Sequence, residues 1–152
     1  MSRTVSSNII IEADPATVFD VLADPGQHSL FDGSDSVKGR VAGPPRLYLG
    51  ATFTMRMQWL APYVIRNRVV DYDEDRCIAW RHAARHVWRY ELEPVTSDRA
   101  AATRVTETFD YGPAPLGFLY GKLGWVERNR KAIESTLQQL KVLVESRAVI
   151  AR

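Results

Sequence analysis

The sequence predicts an α+β fold, in which an antiparallel sheet of about six to seven strands is joined by two short helices after the first strand and one long C-terminal helix. Three observations predict it. Between residues 37 and 111, apolar and polar residues alternate in short runs, the period of half-buried strands. Polar turns separate the runs, and links that short join antiparallel neighbours into a meander. Beyond Pro115 the period changes: Leu123, Val126, Arg130, Ile133, Leu137, Leu140 and Val144 recur at spacings of three and four. That is one stripe of a helix spanning 115–147, which must bury its apolar side against the sheet.

The elements follow in order. Thr4 to Glu12 puts Val5, Ser7, Ile9 and Ile11 on one parity and reads as a first strand. Asp14 is an N-cap and Pro15 sits at the first helical position, so a short helix follows with Val18, Phe19 and Leu22 on one face. Asp24-Pro25-Gly26 breaks it, Gln27 to Phe31 adds a further turn, and Asp32-Gly33-Ser34 reverses the chain. Val37 to Val41 is a second strand. Ala51 to Leu60 alternates most cleanly, with Phe53, Met55, Met57 and Trp59 opposite Thr52, Thr54, Arg56 and Gln58. Tyr63 to Tyr72 places Ile65, Asn67 and Val69 together, and Asp71 to Arg76 is a polar hairpin turn. Cys77 to His82 aligns Ile78, Trp80 and His82. A turn at Ala83 to Arg85 leads to Trp88, Tyr90 and Leu92, and a polar turn at 94–100 leads to Thr103 to Tyr111, with Val105, Glu107 and Phe109 on one side.

Composition narrows the function classes. At 152 residues the chain reads as a single domain over 1–152, with a core of ordinary size. Twenty basic and 18 acidic residues are interspersed, which excludes nucleic acid as the main partner. The lone Cys77 has no internal disulfide partner, so a cytoplasmic location is expected. Met1 to Pro15 lacks the pattern of a signal peptide, and no run reaches the ~20 apolar residues of a membrane-spanning helix. No stable membrane insertion is therefore expected, and the chain is read as a monomer or homodimer. It has no Gly-x-Ser-x-Gly elbow, Walker loop or dinucleotide fingerprint. His28, His82 and His86 show no zinc spacing, so neither metal nor cofactor is expected.

The element order resembles the helix-grip fold of the START-like superfamily, also called SRPBCC. Five stretches carry a further resemblance to its bacterial polyketide cyclase/dehydrase-like branch: Asp14 to Pro25, His28 to Ser34, Ile78-Ala79-Trp80, Trp88 to Pro94 and Thr103 to Asp110. The resemblance implies a cavity between sheet and terminal helix that takes a small hydrophobic molecule. It does not imply a reaction, because one scaffold serves carriers, enzymes and interaction modules.

On the expected cavity face, Phe53, Met55, Met57, Trp59, Ile65, Val69, Trp80, Trp88, Tyr90, Val105 and Phe109 are candidate ligand-binding residues. Phe118, Val126, Arg130 and Ile133 join them from the helical region. Methionine repacks around irregular shapes, and Trp and Tyr offer an apolar body with a polar tip. The polar residues on this face are Asn67, His82 and Glu107. Glu107 is either a general acid or base with a raised pKa, with Asn67 or Tyr90 donating to an enolate oxygen, or one half of a buried ion pair with Arg130. His82 is either catalytic or a rim histidine. His28 and Asp32, four apart, form either a carboxylate-oriented imidazole or a turn cluster. Gly117, Gly121 and Gly124 weaken the start of the helix and make it either a gate or a tight contact. Three functions follow: a carrier or sensor of a lipid, fatty acyl group or polyketide-like compound, a cofactor-free cyclase or dehydratase, and a protein-interaction module.

Overall fold

A computed structural model describes residues 3–96, 101–119 and 122–150. The seven strands are β1 (Thr4–Ile11), β2 (Val37–Ala42), β3 (Thr52–Gln58), β4 (Pro62–Asp73), β5 (Cys77–His82), β6 (Val87–Val95) and β7 (Ala102–Asp110). The helices are α1 (Pro15–Leu22), α2 (His28–Phe31) and α3 (Trp125–Ile150). All neighbouring strands are antiparallel, in the order β1-β7-β6-β5-β4-β3-β2. Strands β2 to β7 form the meander, and β1 closes onto β7 at the far edge. The helices α1 and α2 carry the chain between the two edges. The α+β helix-grip architecture is therefore the one the sequence predicts.

Local chemistry accounts for the elements. Asp14 Oδ1 accepts the Thr17 N–H at 2.7 Å and caps α1, whose Val18, Phe19 and Leu22 are fully buried. A register shift between Val69 and Asp71 turns the end of β4 over. Tyr72 thereby faces inward, and its ring meets Phe19 edge-on at 5.4 Å.

The long helix differs from the expectation. It begins at Trp125, ten residues after Pro115, and only a 3-10 turn at Gly117–Leu119 precedes it. Gly124 has φ +70°, which interrupts the helical path before Trp125. A Cβ on Gly117 would collide with the Tyr111 carbonyl oxygen, so that glycine serves a tight contact. Tyr120 and Gly121 lie outside the described residues, as does the 97–100 part of the expected turn.

Helix α3 is seated by its C-terminal part. Ile133, Thr136, Leu137, Leu140 and Val144 are buried, whereas none of the described residues from 122 to 132 is. Lys141 Nζ donates to the Ile10 carbonyl at 2.7 Å, and Glu145 Oε1 accepts the Glu12 N–H at 2.9 Å, fastening the helix to β1. Gly33 approaches so closely that its N–H reaches Thr136 Oγ1 at 2.9 Å, fixing the loop after α2 against the middle of the helix. The first two turns of α3 are held by none of these contacts. Among the described residues, no helix is long and apolar enough to cross a membrane.

Candidate functional site

The unseated end of α3 encloses a cavity of about 850 Å³ against the inner face of the sheet. That is within the range of small-molecule sites, roughly 300–1,000 Å³. Alternation in the strands supplies its walls: Phe53, Met55 and Met57 from β3, Ile65 and Asn67 from β4, Trp80 and His82 from β5, Trp88 and Tyr90 from β6, Glu107 and Phe109 from β7. Trp59 lines it from the end of β3, Ile133 from α3, and His28 and Asp32 from the α2 region.

Five expected wall residues lie elsewhere. Val69 and Val105 are completely buried in the solid part of the core beside the seated half of the sheet. Phe118 is exposed in the segment before α3, and Val126 packs half-buried against the core. Arg130 is exposed, because the helix presents Trp125, Arg128, Asn129, Ala132 and Thr136 to the cavity instead. Those residues, with Ile133, keep the three-and-four spacing. Extending the stripe backwards from Ile133 and Thr136 finds them, but the stripe drawn through Leu123, Val126 and Arg130 passes beside them. Tyr63 and His86 were also missed: Tyr63 shares the parity of Ile65 and Asn67 and sits opposite Met57, so carrying the alternation to the start of β4 finds it, whereas His86 lies in the turn before β6, where alternation assigns no side.

The Glu107–Arg130 ion pair is not formed. Arg130 Nε lies 3.5 Å from Glu127 Oε2 on its own helix. Glu107 Oε1 accepts the Tyr90 hydroxyl hydrogen bond at 2.9 Å, and Glu107 Oε2 is buried with no hydrogen-bond partner among the described residues. Burial pushes the Glu107 pKa up to about 8, against the opposing pull of the Tyr90 bond. Tyr90, fully enclosed and next to this carboxyl group, is itself pushed well above its ordinary value by burial. Glu107 therefore holds its proton through most of the neutral range.

The His28–Asp32 pair also fails to form. The His28 ring stacks on Trp80 at 4.9 Å between centroids, and its Nε2–H donates to the Leu22 carbonyl at 2.8 Å, leaving Nδ1 as an acceptor. Asp32 spends its carboxylate on the turn. Its Oδ2 accepts the N–H groups of Ser36 at 2.9 Å and Val37 at 2.8 Å, and its Oδ1 accepts the Ser34 N–H at 3.1 Å. Burial lowers the His28 pKa to about 4.

His82 accepts the Trp88 indole N–H on Nε2 at 3.2 Å, and its ring centre lies 3.7 Å from that of His86. Burial lowers His82 to about 3, with the neighbouring His86 adding to the effect, and burial lowers His86 to about 4. All three imidazoles are neutral at pH 7. Glu107 and the three histidines thus add no charge to the cavity at pH 7, and the charged side chains of its lining are Asp32, Arg128 and Lys131. Among the described residues, no group of three or more His, Cys, Asp or Glu side chains is placed to hold a metal ion.

Residues 2–145 match the family described as polyketide cyclase/dehydrase and lipid transport. The chain belongs to this family. It is 36% identical over 141 residues to "Uncharacterized protein Rv0088" of Mycobacterium tuberculosis, covering 90% of this chain and spanning 62% of the length of that relative. Among solved structures, protein NE0264 from Nitrosomonas europaea superimposes with a TM-score of 0.70 at 16% identity, covering 96% of both chains. The Polyketide_cyc-like protein Cgl2372 from Corynebacterium glutamicum gives a TM-score of 0.57 at 22% identity, over 95% of this chain and 90% of that one. At these identities the solved structures establish the shared fold.

Proposed function

We propose that the protein is a carrier or sensor that encloses one small hydrophobic molecule, a lipid, fatty acyl group or polyketide-like compound, beneath the first turns of α3. The observation that carries this reading is the cavity of about 850 Å³ walled by Phe53, Met55, Met57, Trp80, Trp88 and Phe109. Removing apolar surface from water on such walls yields on the order of 25 cal/mol per Å². The neutral polar groups, Glu107 as an acid and the three histidines, orient the ligand without opposing its apolar body with charge. The test is a titration with a fluorescent fatty acid. Met57→Trp, which fills the cavity from β3, is expected to weaken binding by about tenfold or more while the protein stays folded. Unchanged affinity in a folded Met57→Trp protein would place the probe elsewhere and remove support for this site.

Glu107 favours a second reading, a cofactor-free cyclase or dehydratase. A carboxyl group with a pKa near 8, one oxygen held by Tyr90 and the other unbonded at the cavity wall, is poised to give or take a proton near neutral pH. An enzyme predicts that Glu107→Gln abolishes turnover of a candidate polyketide-like substrate while probe binding persists. Full turnover in Glu107→Gln excludes this role.

A further inference from the structure

The β3–β4 hairpin ends in a run of exposed apolar side chains that neither the sheet nor the cavity requires. Leu60, at the tip, is 90% exposed, and Val64 is 62% exposed on the outer face. Trp59 and Tyr63 line the cavity yet remain 53% and 45% exposed, so the cavity reaches the surface between them. A soluble domain rarely leaves a contiguous patch of this kind uncovered without a use for it.

The charges around the patch are of one sign. Residues 36–70 contain Lys38, Arg40, Arg46, Arg56, Arg66 and Arg68, and no Asp or Glu. Arg56 lies directly across from Val64 in the hairpin, and Arg66 follows on the same exposed outer face. Across the cavity opening, the Arg128 guanidinium sits over the Trp59 ring at 4.8 Å. No carboxylate of the described residues lies within ion-pair distance of Arg56, Arg66 or Arg128. Trp and Tyr with an aliphatic tip, flanked by unpaired arginines, match the layering of a bilayer interface, with apolar groups at the acyl boundary and cations among the phosphates. A second copy of the chain fits poorly, since a twofold contact would set this cation-only stretch against its own image.

We infer that the β3–β4 hairpin docks the mouth of the cavity onto an anionic lipid bilayer, with Leu60, Trp59 and Tyr63 entering the interface and Arg56, Arg66 and Arg128 meeting lipid phosphates. Docking in this pose points the opening at the membrane, so a hydrophobic ligand passes between bilayer and cavity without crossing water. The attachment is peripheral: one hairpin tip and a few arginines give reversible binding that weakens with salt.

The experiment is co-sedimentation of the purified protein with phosphatidylcholine vesicles, with and without phosphatidylserine, at low and high salt. The expected result is binding that requires phosphatidylserine and falls as salt rises. Leu60→Asp should weaken it by about tenfold or more, and Arg56→Glu with Arg66→Glu by about a hundredfold. None of these three residues lines the cavity, so each variant should melt like the parent and bind the fluorescent fatty acid in solution as before. That separates the two readings: a parent protein that binds vesicles but not the probe counts against the ligand site, and one that binds the probe but no vesicles counts against docking. Absence of vesicle binding at low salt overturns the inference. So does binding that neither set of substitutions weakens. A stable dimer in solution that Leu60→Asp dissociates assigns the patch to self-association instead.

Discussion

Glu107 is 3% exposed, and its carboxyl group has a raised pKa, which links it to stability in a definite direction. The folded value of about 8 lies above the ordinary value of 4.5, so the protonated form is the one the fold accommodates. Its contribution is therefore fully present below pH 4.5 and is lost as pH rises through 8. Glutamine keeps the shape and removes the titration. Glu107→Gln should accordingly be nearly neutral at pH 4.5 and more stable than the parent at pH 8, by on the order of 4 kcal/mol. Denaturant unfolding at the two pH values measures this, and a difference independent of pH contradicts the assignment. The histidines act with the opposite sign. His28, His82 and His86 have depressed values, so the stability they contribute is present above pH 6.5 and is lost as pH falls toward 4. The presence of Glu107, Asn67, His82 and His28 at the site was legible from strand parity and the turn pattern. Their partners were not. Tyr90 and Glu107 meet across the β6–β7 ladder, a register that alternation does not fix, and the rotation of α3 that turns Arg130 outward depends on its seating at Thr136.

At the scale of elements, strand alternation transferred well because each strand has one dry and one wet face. It faltered where that condition ends. The irregularity between Val69 and Asp71 reverses the parity of Tyr72, and nothing in Val69-Val70-Asp71 announces an extra residue. The start of α3 was misplaced because Leu123 and Val126 continue the three-and-four spacing, while the Gly124 conformation that interrupts the path is a backbone property. The other decisive glycine is Gly33. A Cβ there would lie 2.6 Å from the Ala132 carbonyl oxygen, against the backbone of α3 rather than a flexible side chain. Gly33→Ala must push the loop and helix apart and weaken the Gly33–Thr136 hydrogen bond. The expected loss is about 1–3 kcal/mol, seen as a lower melting temperature. A melting temperature equal to that of the parent would mean that the loop does not fix the helix.

The whole molecule works by uneven seating. One half of α3 is fastened to β1 and packed through Leu137, Leu140 and Val144, and the other half spans open space walled by aromatic and methionine side chains. The sequence made the fold class legible, because alternation, turn chemistry and a change of period all agreed. The cavity was legible only through family resemblance, since a residue on an inner face reads the same whether it meets another side chain or a void. Val69 and Val105 illustrate this: they share a parity with Asn67 and Glu107 yet belong to the solid core. The mouth, with Trp59, Tyr63 and Arg128, emerges only once hairpin and helix are placed together. Native mass spectrometry of the protein purified without detergent tests the central claim most directly. A complex heavier than the chain by one small molecule, displaced by a fatty acid and diminished in Met57→Trp, is the predicted result. A bare chain mass that no lipid, fatty acid or polyketide-like compound shifts would contradict a ligand-binding interior.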